Sequence, residues 1–176
     1  MNKLGILASL MTVILGSTMV SSVMAQTPPI TQQPPAPAAR GPVLDLALEA
    51  AKVAVETCTA RDQKIGVTVV DSAGIQKVLL ATDGASSRGV ASSTNKALTA
   101  LNFKTATSQL GEQSKTDKIL ADAIAANTSF NSRAGGVLIK VNGEIIGAIG
   151  VGGARGSEVD EACAVAGLEK VQSRLK

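Results

Sequence analysis

The chain has 176 residues, of which 45% are hydrophobic and 18% are charged, and its formal net charge is +3. So small a charge gives no electrostatic footprint for nucleic acid, and two phenylalanines as the only aromatic residues offer no surface for stacking bases. The absence of histidine excludes a Ser-His triad and the usual Cys/His sites for zinc or copper. No Walker phosphate loop is present either.

Residues 1–25 have the pattern of a secretory signal peptide. Lys3 supplies a positive start, residues 4–20 are mostly apolar, and residues 23–25, Val-Met-Ala, form a small-x-Ala cleavage signal. We expect cleavage after Ala25 and a periplasmic or extracellular protein. A second long apolar run does not follow, so we expect no membrane span after cleavage. A retained transmembrane anchor is the alternative interpretation of the first run.

Residues 26–42 contain all six prolines of the chain. This composition predicts an extended, poorly ordered linker. Residues 43–176 have the length of one domain. They are rich in alanine, valine, isoleucine and leucine, which predicts one core packed with small aliphatic side chains.

Hydrophobic periodicity and turn signals predict the elements of this domain. Apolar side chains at helical spacing predict helices at residues 43–60, 87–103, 114–126 and 157–174. Runs of β-branched residues predict strands at residues 65–71, 75–81, 137–141 and 144–151. Ser114 and Asp117 have the spacing of a helix cap and are expected to open the third helix. The dipeptide Asn142-Gly143 is typical of a type I′ hairpin turn.

The order of these elements, α-β-β-α-α-β-β-α, predicts a single α+β domain. The two hairpins imply an antiparallel sheet with helices on its faces. We expect about five strands, the fifth being a short one near Phe130.

A glycine-rich stretch joins the last predicted strand to the last predicted helix. Gly152 and Gly153 permit positive φ and leave room beside the backbone. Ser157, with Asp160 three residues later, has the spacing of a helix cap. Free N–H groups at this helix start, beside Arg155, predict an anion site. The alternative interpretation is a tight strand-to-helix connection with no ligand.

Cys58 and Cys163 are the only cysteines. Exported proteins fold in an oxidising compartment, so the pair predicts a disulfide between the first and last helices. Two buried free thiols are the alternative.

Acidic residues cluster at the start of the last predicted helix. One interpretation of Glu158, Asp160 and Glu161 is a site for a hard cation. The favoured interpretation is that acidic side chains in a first helical turn interact well with the helix macrodipole. Asp45 and Glu49 on the first helix have the same explanation. We therefore predict no metal site.

Several segments, in order, resemble the GlcG/HbpS-like family, described as haem-degrading or haem-binding. They lie at residues 67–74, 83–85, 96–100, 107–110, 135–136, 147–153, 160–161 and 166–167. The resemblance implies a profilin-like α-β-α arrangement, a tetrapyrrole or other small-molecule ligand, and a homo-oligomer. Exposed hairpin edges also favour assembly, because an uncovered edge strand tends to pair.

Within this resemblance, Thr107 matches a threonine of a Thr-Ser-x-Leu segment that is linked to haem in the family. A turn or helix-capping hydroxyl is the alternative role for Thr107. The chain departs from the family pattern at Thr82, where a larger residue is usual, and at Gly152-Gly153, where Ser-Gly is usual. It also lacks the histidine of the cobalamin-associated branch, so haem binding would proceed without a histidine ligand.

The first functional hypothesis is therefore an exported tetrapyrrole-binding protein, with haem as the implied cofactor. Its cleft would lie near Phe103 and Phe130, with Thr107 near the iron. The propionates would be met by Lys96, Lys104 or Arg133.

Two other hypotheses stay open. A small carboxylate ligand of the glycolate type would bind the turn from Gly152 to Ser157 and Arg155, and the protein would be either a binder or an enzyme for it. Alternatively, the domain is an oligomeric assembly module without a ligand. The sequence leaves open whether any reaction is catalysed.

Overall fold

A computed structural model describes residues 38–176, so the predicted signal peptide and residues 26–37 of the predicted linker lie outside the described residues. The helices are α1 (Leu44–Thr59), α2 (Ser87–Phe103), α3 (Thr107–Gln113), α4 (Lys118–Ala125) and α5 (Ser157–Val171), followed by a 3-10 turn (Gln172–Arg174). The strands are β1 (Gly66–Asp71), β2 (Gln76–Ala81), β3 (Gly136–Val141) and β4 (Glu144–Gly152). None of the helices in residues 38–176 combines the length and apolar character that a membrane crossing requires. The predicted α+β class is confirmed.

The four strands form one antiparallel sheet in the order β2-β1-β4-β3. β1 and β4 are the central strands, with Val69 paired to Ile149. The expected fifth strand does not occur in residues 38–176. The backbone N–H of Phe130 donates to the carbonyl of Asn127 in a turn, at 2.9 Å. The ring of Phe130 meets the ring of Phe103 edge to face, with the centroids 5.1 Å apart.

Helices cover both faces of the sheet. α1 and α5 pack side by side on one face, where Ile149 and Val151 of β4 enter the larger core. α2 covers the other face, where Ala148 of β4 packs with Ala97 and Ala100 of α2. Successive side chains of a strand point to opposite faces, so β4 supplies large residues to one layer and small ones to the other. The core is built from small aliphatic side chains, as predicted.

α2 lies unusually close to the sheet because glycines of the central strands leave no side chain between them. A Cβ atom at Gly66 would lie 2.7 Å from the Cα atom of Val90. A Cβ atom at Gly150 would lie 2.7 Å from the backbone nitrogen of Ala97. Either approach is too short for a real Cβ contact, so the position of α2 requires glycine at both places.

α3 is a helix that the sequence pattern does not predict, so the observed order is α-β-β-α-α-α-β-β-α. Ser114 follows the end of α3, and its hydroxyl donates to the carbonyl of Gly111 at 2.9 Å. α4 begins after Asp117, whose carboxylate accepts from the N–H of Leu120 at 3.0 Å. The prediction that Ser114 opens this helix is wrong, because Asp117 alone supplies the cap.

The last part of the predicted linker contacts the sheet. The backbone N–H of Arg40 donates to the hydroxyl of Ser72 at 2.9 Å, and the N–H of Ser72 donates to the carbonyl of Arg40 at 2.8 Å. The guanidinium of Arg40 also pairs with Glu144. Residues 38–43 are therefore held against the β1–β2 turn without regular secondary structure.

Cys58 of α1 and Cys163 of α5 form a disulfide, with their Cα atoms 5.7 Å apart, which confirms the predicted pairing. Both side chains are fully buried in the larger core. Near the bond, Gly167 of α5 packs against the backbone of Ala50 of α1. The bond therefore joins two helices of one layer that are 105 residues apart in the chain.

Replacing Cys58 and Cys163 together with alanine should lower the free energy of unfolding by about 4 kcal/mol, because the unfolded chain is no longer closed into a long loop. Urea unfolding followed by far-ultraviolet circular dichroism measures this difference. Reduced wild-type protein is the matched control and should unfold at the same urea concentration as the double variant. Equal midpoints for oxidised wild type and variant would contradict this account of the bond.

Candidate functional site

A polar cleft of about 620 Å³ lies where the start of α2, the start of α5 and the loop before β3 meet. Arg88 and Lys96 of α2 and Arg133 of the loop place three cationic side chains in its lining. Asn95 and Asn131 add amide groups that both donate and accept hydrogen bonds. Such a lining suits a carboxylate or phosphate, which forms its strongest hydrogen bonds with charged donors.

A buried ion pair forms the inner wall of this cleft. The ammonium of Lys96 donates to Oδ2 of Asp160 at 2.7 Å, and the two residues are 2% and 3% exposed. Gly135 makes room for the pair, because a Cβ atom there would lie 2.8 Å from Nζ of Lys96 and 2.9 Å from Cβ of Asp160. Lys96, a predicted site residue, is thus held in one position at the base of the cleft.

Burial lowers the pKa of Lys96 from its ordinary value of 10.5. The hydrogen bond and the negative charge of Asp160 oppose this change, as does the charge of Glu158. The positive charge of Arg133 adds to the lowering. The amine of Lys96 therefore gives up its proton more readily than the amine of an exposed lysine does.

The start of α5 differs from the predicted cap. Gly156 is the N-cap residue and makes no side-chain capping bond, while Ser157 is the first residue of the helix. Oδ1 of Asp160 accepts from the backbone N–H of Ala154 at 3.0 Å. The predicted Ser-x-x-Asp cap is wrong, because Asp160 closes the preceding turn and holds Lys96 instead.

The glycine turn has fewer free donors than its sequence suggests. Gly153 has a φ of 117°, which only glycine adopts readily, and it lines the cleft with Ser157. The N–H of Arg155 donates to the side chain of Gln63 at 2.9 Å. The N–H of Ala154 is also engaged, so two of the predicted anion-binding donors already have partners.

A second cleft, of about 720 Å³, lies between α3 and the start of α5. It shares Arg133 and Ser157 with the polar cleft, so the two adjoin. The hydroxyl of Ser108 in this cleft donates to Oε1 of Glu161 at 2.7 Å. The two clefts therefore meet at the start of α5.

Thr107 lies at the first residue of α3 and is fully buried. Its hydroxyl accepts from the backbone N–H of Gly136 at 2.8 Å. The side chain therefore ties α3 to β3 and reaches neither cleft. A contact between Thr107 and a bound haem would require α3 to move.

The remaining predicted site residues lie at different distances from the cleft. Gly152 is buried at the end of β4, directly before the turn, and Arg155 is exposed and outside the cleft lining. Phe103 and Phe130 are half-buried against each other and line neither cleft. Lys104 caps the end of α2 with a φ of 54° and is exposed. The structure therefore brings together Lys96, Arg133, Gly153 and Ser157 of the predicted residues.

The acidic residues at the start of α5 do not converge on a common point. Asp160 pairs with Lys96, and Glu161 accepts from Ser108. Glu158 is exposed, and hydrogen bonds from its own N–H and from the Ser157 hydroxyl lower its pKa. No group of three or more potential metal ligands occurs within residues 38–176.

Three residues of the cleft escaped the sequence analysis as ligand contacts: Arg88, Asn95 and Asn131. The ion-pair role of Asp160 escaped it as well. A local signal for that role exists, because Lys96 lies on the same side of α2 as the buried residues Ser93 and Ala100. A lysine among buried positions requires a buried partner of opposite charge.

The lowered pKa of Lys96 predicts a pH-dependent stability. In the window between the lowered pKa and 10.5 the unfolded chain binds more protons than the folded one, so stability rises with pH. The free energy of unfolding of wild type, minus that of Lys96→Met, should therefore rise across this alkaline window. Denaturant unfolding at several pH values measures it, with exposed Lys52→Met as the matched control. Parallel curves for wild type and Lys96→Met would refute the lowered pKa.

Comparison with solved structures shows a common fold. An HbpS structure shares 30% identity, with 85% of this chain and 99% of that chain covered and a TM-score of 0.69. A double mutant of HbpS from Streptomyces reticuli shares 28% identity, with 88% of this chain and 99% of that chain covered and a TM-score of 0.69. A structure of a PduOC–heme complex shares 21% identity, with 73% and 94% covered and a TM-score of 0.67, a likeness that shows the fold alone.

A search of curated proteins finds no significant match. The sequence model described as "Haem degrading protein HbpS-like" matches residues 43–169, which include all four strands, the first four helices and all but the last two residues of α5. This match and the similarity to HbpS confirm the resemblance in the sequence. The chain belongs to the HbpS-like family of haem-degrading proteins.

Proposed function

We propose that the chain is an exported protein that binds haem or a related tetrapyrrole without a histidine ligand. The family description refers to haem, and a protein of the same fold has been solved with heme. The signal-peptide pattern of residues 1–25 and the disulfide support export to an oxidising compartment. The chain has no histidine that would hold the iron.

The observation that carries this proposal is the pair of adjoining clefts that share Arg133. The polar cleft holds Arg88 and Lys96 besides Arg133, and these cations suit the propionates of a tetrapyrrole. The second cleft extends from Arg133 along α3 and gives the macrocycle a surface against Ala134 and the stems of the α3 side chains. A tetrapyrrole placed across Arg133 uses both clefts.

The residues present fit the carboxylates of haem better than its iron. Both cysteines are in the disulfide, and the domain has no histidine, tyrosine or methionine. Oxygen donors in the second cleft, such as Ser108 and Glu161, are the side chains that would face the metal. Haem supplies redox and ligand-binding chemistry at its iron when bound, while Arg133 would fix its orientation.

A small carboxylate is the second candidate ligand, and the polar lining of the first cleft favours it. Ser86, Ser92, Asn95 and Asn131 face this cleft, with few apolar side chains among them. A ligand with a carboxylate and little apolar surface would bury no unpaired polar group there. This alternative needs the first cleft alone.

Haemin titration tests the main proposal. Wild-type protein should give a Soret shift that saturates near one haemin per chain. Arg133→Ala should weaken haemin by about tenfold or more, because a charged hydrogen bond to a propionate is lost. Arg155→Ala tests the predicted role of the turn, and exposed Arg61→Ala is the matched control. If wild type gives no saturable shift, or if Arg133→Ala binds haemin as well as Arg61→Ala does, the proposed site is wrong.

We further propose that the chain forms a homo-oligomer. Ile119 of α4 is 83% exposed and Leu44 of α1 is 57% exposed, and such apolar side chains favour a covered surface. The outer edges of β2 and β3 also stay unpaired within residues 38–176. Multi-angle light scattering should give a mass above that of one chain, and a monomer at high micromolar concentration would argue decisively against assembly.

A further inference from the structure

Arg88 and Arg133 are exposed cations of the polar cleft and can meet a propionate there without the ion pair of Lys96 and Asp160. The pair is instead nearly inaccessible from bulk solvent, at 2% and 3% exposure, while both residues still line the cleft. The amine is therefore largely desolvated although it lies in the wall of a cleft. Beside it, 2.7 Å away, lies a carboxylate that can exchange a proton with it.

We propose that Lys96 is a carbonyl-reactive amine that forms an imine with a small 2-oxo acid bound in the polar cleft, with Asp160 as its proton-exchange partner. An amine acts as a nucleophile toward a carbonyl carbon once it is unprotonated, and burial is a recognised way to favour that form. The lowered pKa of Lys96 agrees with this geometry.

The step balances without any further reactant. The ammonium of Lys96 passes a proton to Asp160, and the free amine attacks the carbonyl carbon to form a C–N bond. The carbonyl π electrons move to the oxygen, which takes the proton back from Asp160. A second proton passes from nitrogen to the hydroxyl by the same carboxylate, the C–O bond breaks and water leaves. One ammonium and one carbonyl thus give one protonated imine and one water.

The cleft lining points to an oxo acid rather than a simple aldehyde or ketone. Arg133 offers a planar guanidinium for the carboxylate of the ligand. Asn95 lies one residue before Lys96 and, with Asn131, offers amide donors to the developing hydroxyl. The negative charge and the acceptor oxygens of an oxo acid therefore complement the cations and the donors of the cleft.

This inference concerns the polar cleft and does not rest on haem binding. If both hold, a propionate and an oxo acid compete for Arg133, so excess glyoxylate should weaken haemin. The imine is detected by covalent mass and haem by its Soret band. Failure of one readout therefore leaves the other intact.

Reductive trapping with glyoxylate and borohydride tests the inference on the full chain. Intact mass should show one added carboxymethyl group at low glyoxylate, and peptide mapping should place it on Lys96. The rate of trapping should saturate with glyoxylate concentration, and oxalate, which has no reactive carbonyl, should compete. No adduct, or adducts spread over the exposed lysines, would overturn the proposal.

The variant Asp160→Asn tests whether the reactivity of Lys96 depends on proton exchange with Asp160 or only on the position of the amine in the cleft. This variant keeps an oxygen for the N–H of Ala154 and lowers the pKa of Lys96 further, which favours the free amine. It loses the group that carries both protons, however, so trapping at Lys96 should slow by about a hundredfold. Exposed Lys52→Met is the matched control and should trap at the wild-type rate. Trapping at the wild-type rate in folded Asp160→Asn would overturn the role of Asp160. If that variant does not fold, the wild-type mapping and the oxalate competition still decide whether Lys96 is reactive.

Discussion

The whole domain depends on how closely α2 approaches the sheet. Gly66 and Gly150 allow the backbone of α2 to approach the central strands closely, because a Cβ atom at either position would collide with that backbone. Gly136 of β3 lies in the same way under the backbone of Lys96, where a Cβ atom would be 2.8 Å from the carbonyl carbon. This contact fixes the height of Lys96 above the sheet, and with it the position of the cleft. On this face the core consists of small residues, such as Ala97, Ala100 and Ala148, which suit the close layer spacing.

The ion pair of Lys96 and Asp160 is poorly explained by stability alone. Removing two charges from water costs several kcal/mol per ion, and their attraction offsets that cost only when the geometry is good. Here the geometry is good, because Asp160 also accepts from Ala154 and so has hydrogen bonds on both oxygens. The pair therefore fixes the relative position of α2 and α5 more than it adds net free energy. It also places an amine and a carboxylate in hydrogen-bond contact at the wall of a cleft.

Much of the fold could be predicted from the sequence, because helical periodicity and hairpin turns are local properties. The bounds of α2 agree with the prediction, and so does the turn at Asn142-Gly143. α3 escapes prediction because its seven residues span barely two turns, too few to show a period. The site is harder, since Lys96 and Asp160 are 64 residues apart and only the packed fold brings them together. The sequence predicts Lys96 as a ligand residue, but the spacing of Asp160 from Ser157 indicates a helix cap and gives no sign of the ion pair.

The disulfide acts on more than the layer that contains it. Cys163 and Asp160 lie three residues apart on α5, so they share one turn of the same helix. The bond to Cys58 anchors that turn against α1, on the opposite side of the sheet from α2. Before the thiols are oxidised, Asp160 is carried by a helix with one fewer anchor. The disulfide therefore restrains, through one turn of α5, the carboxylate that holds Lys96 on the other side of the sheet.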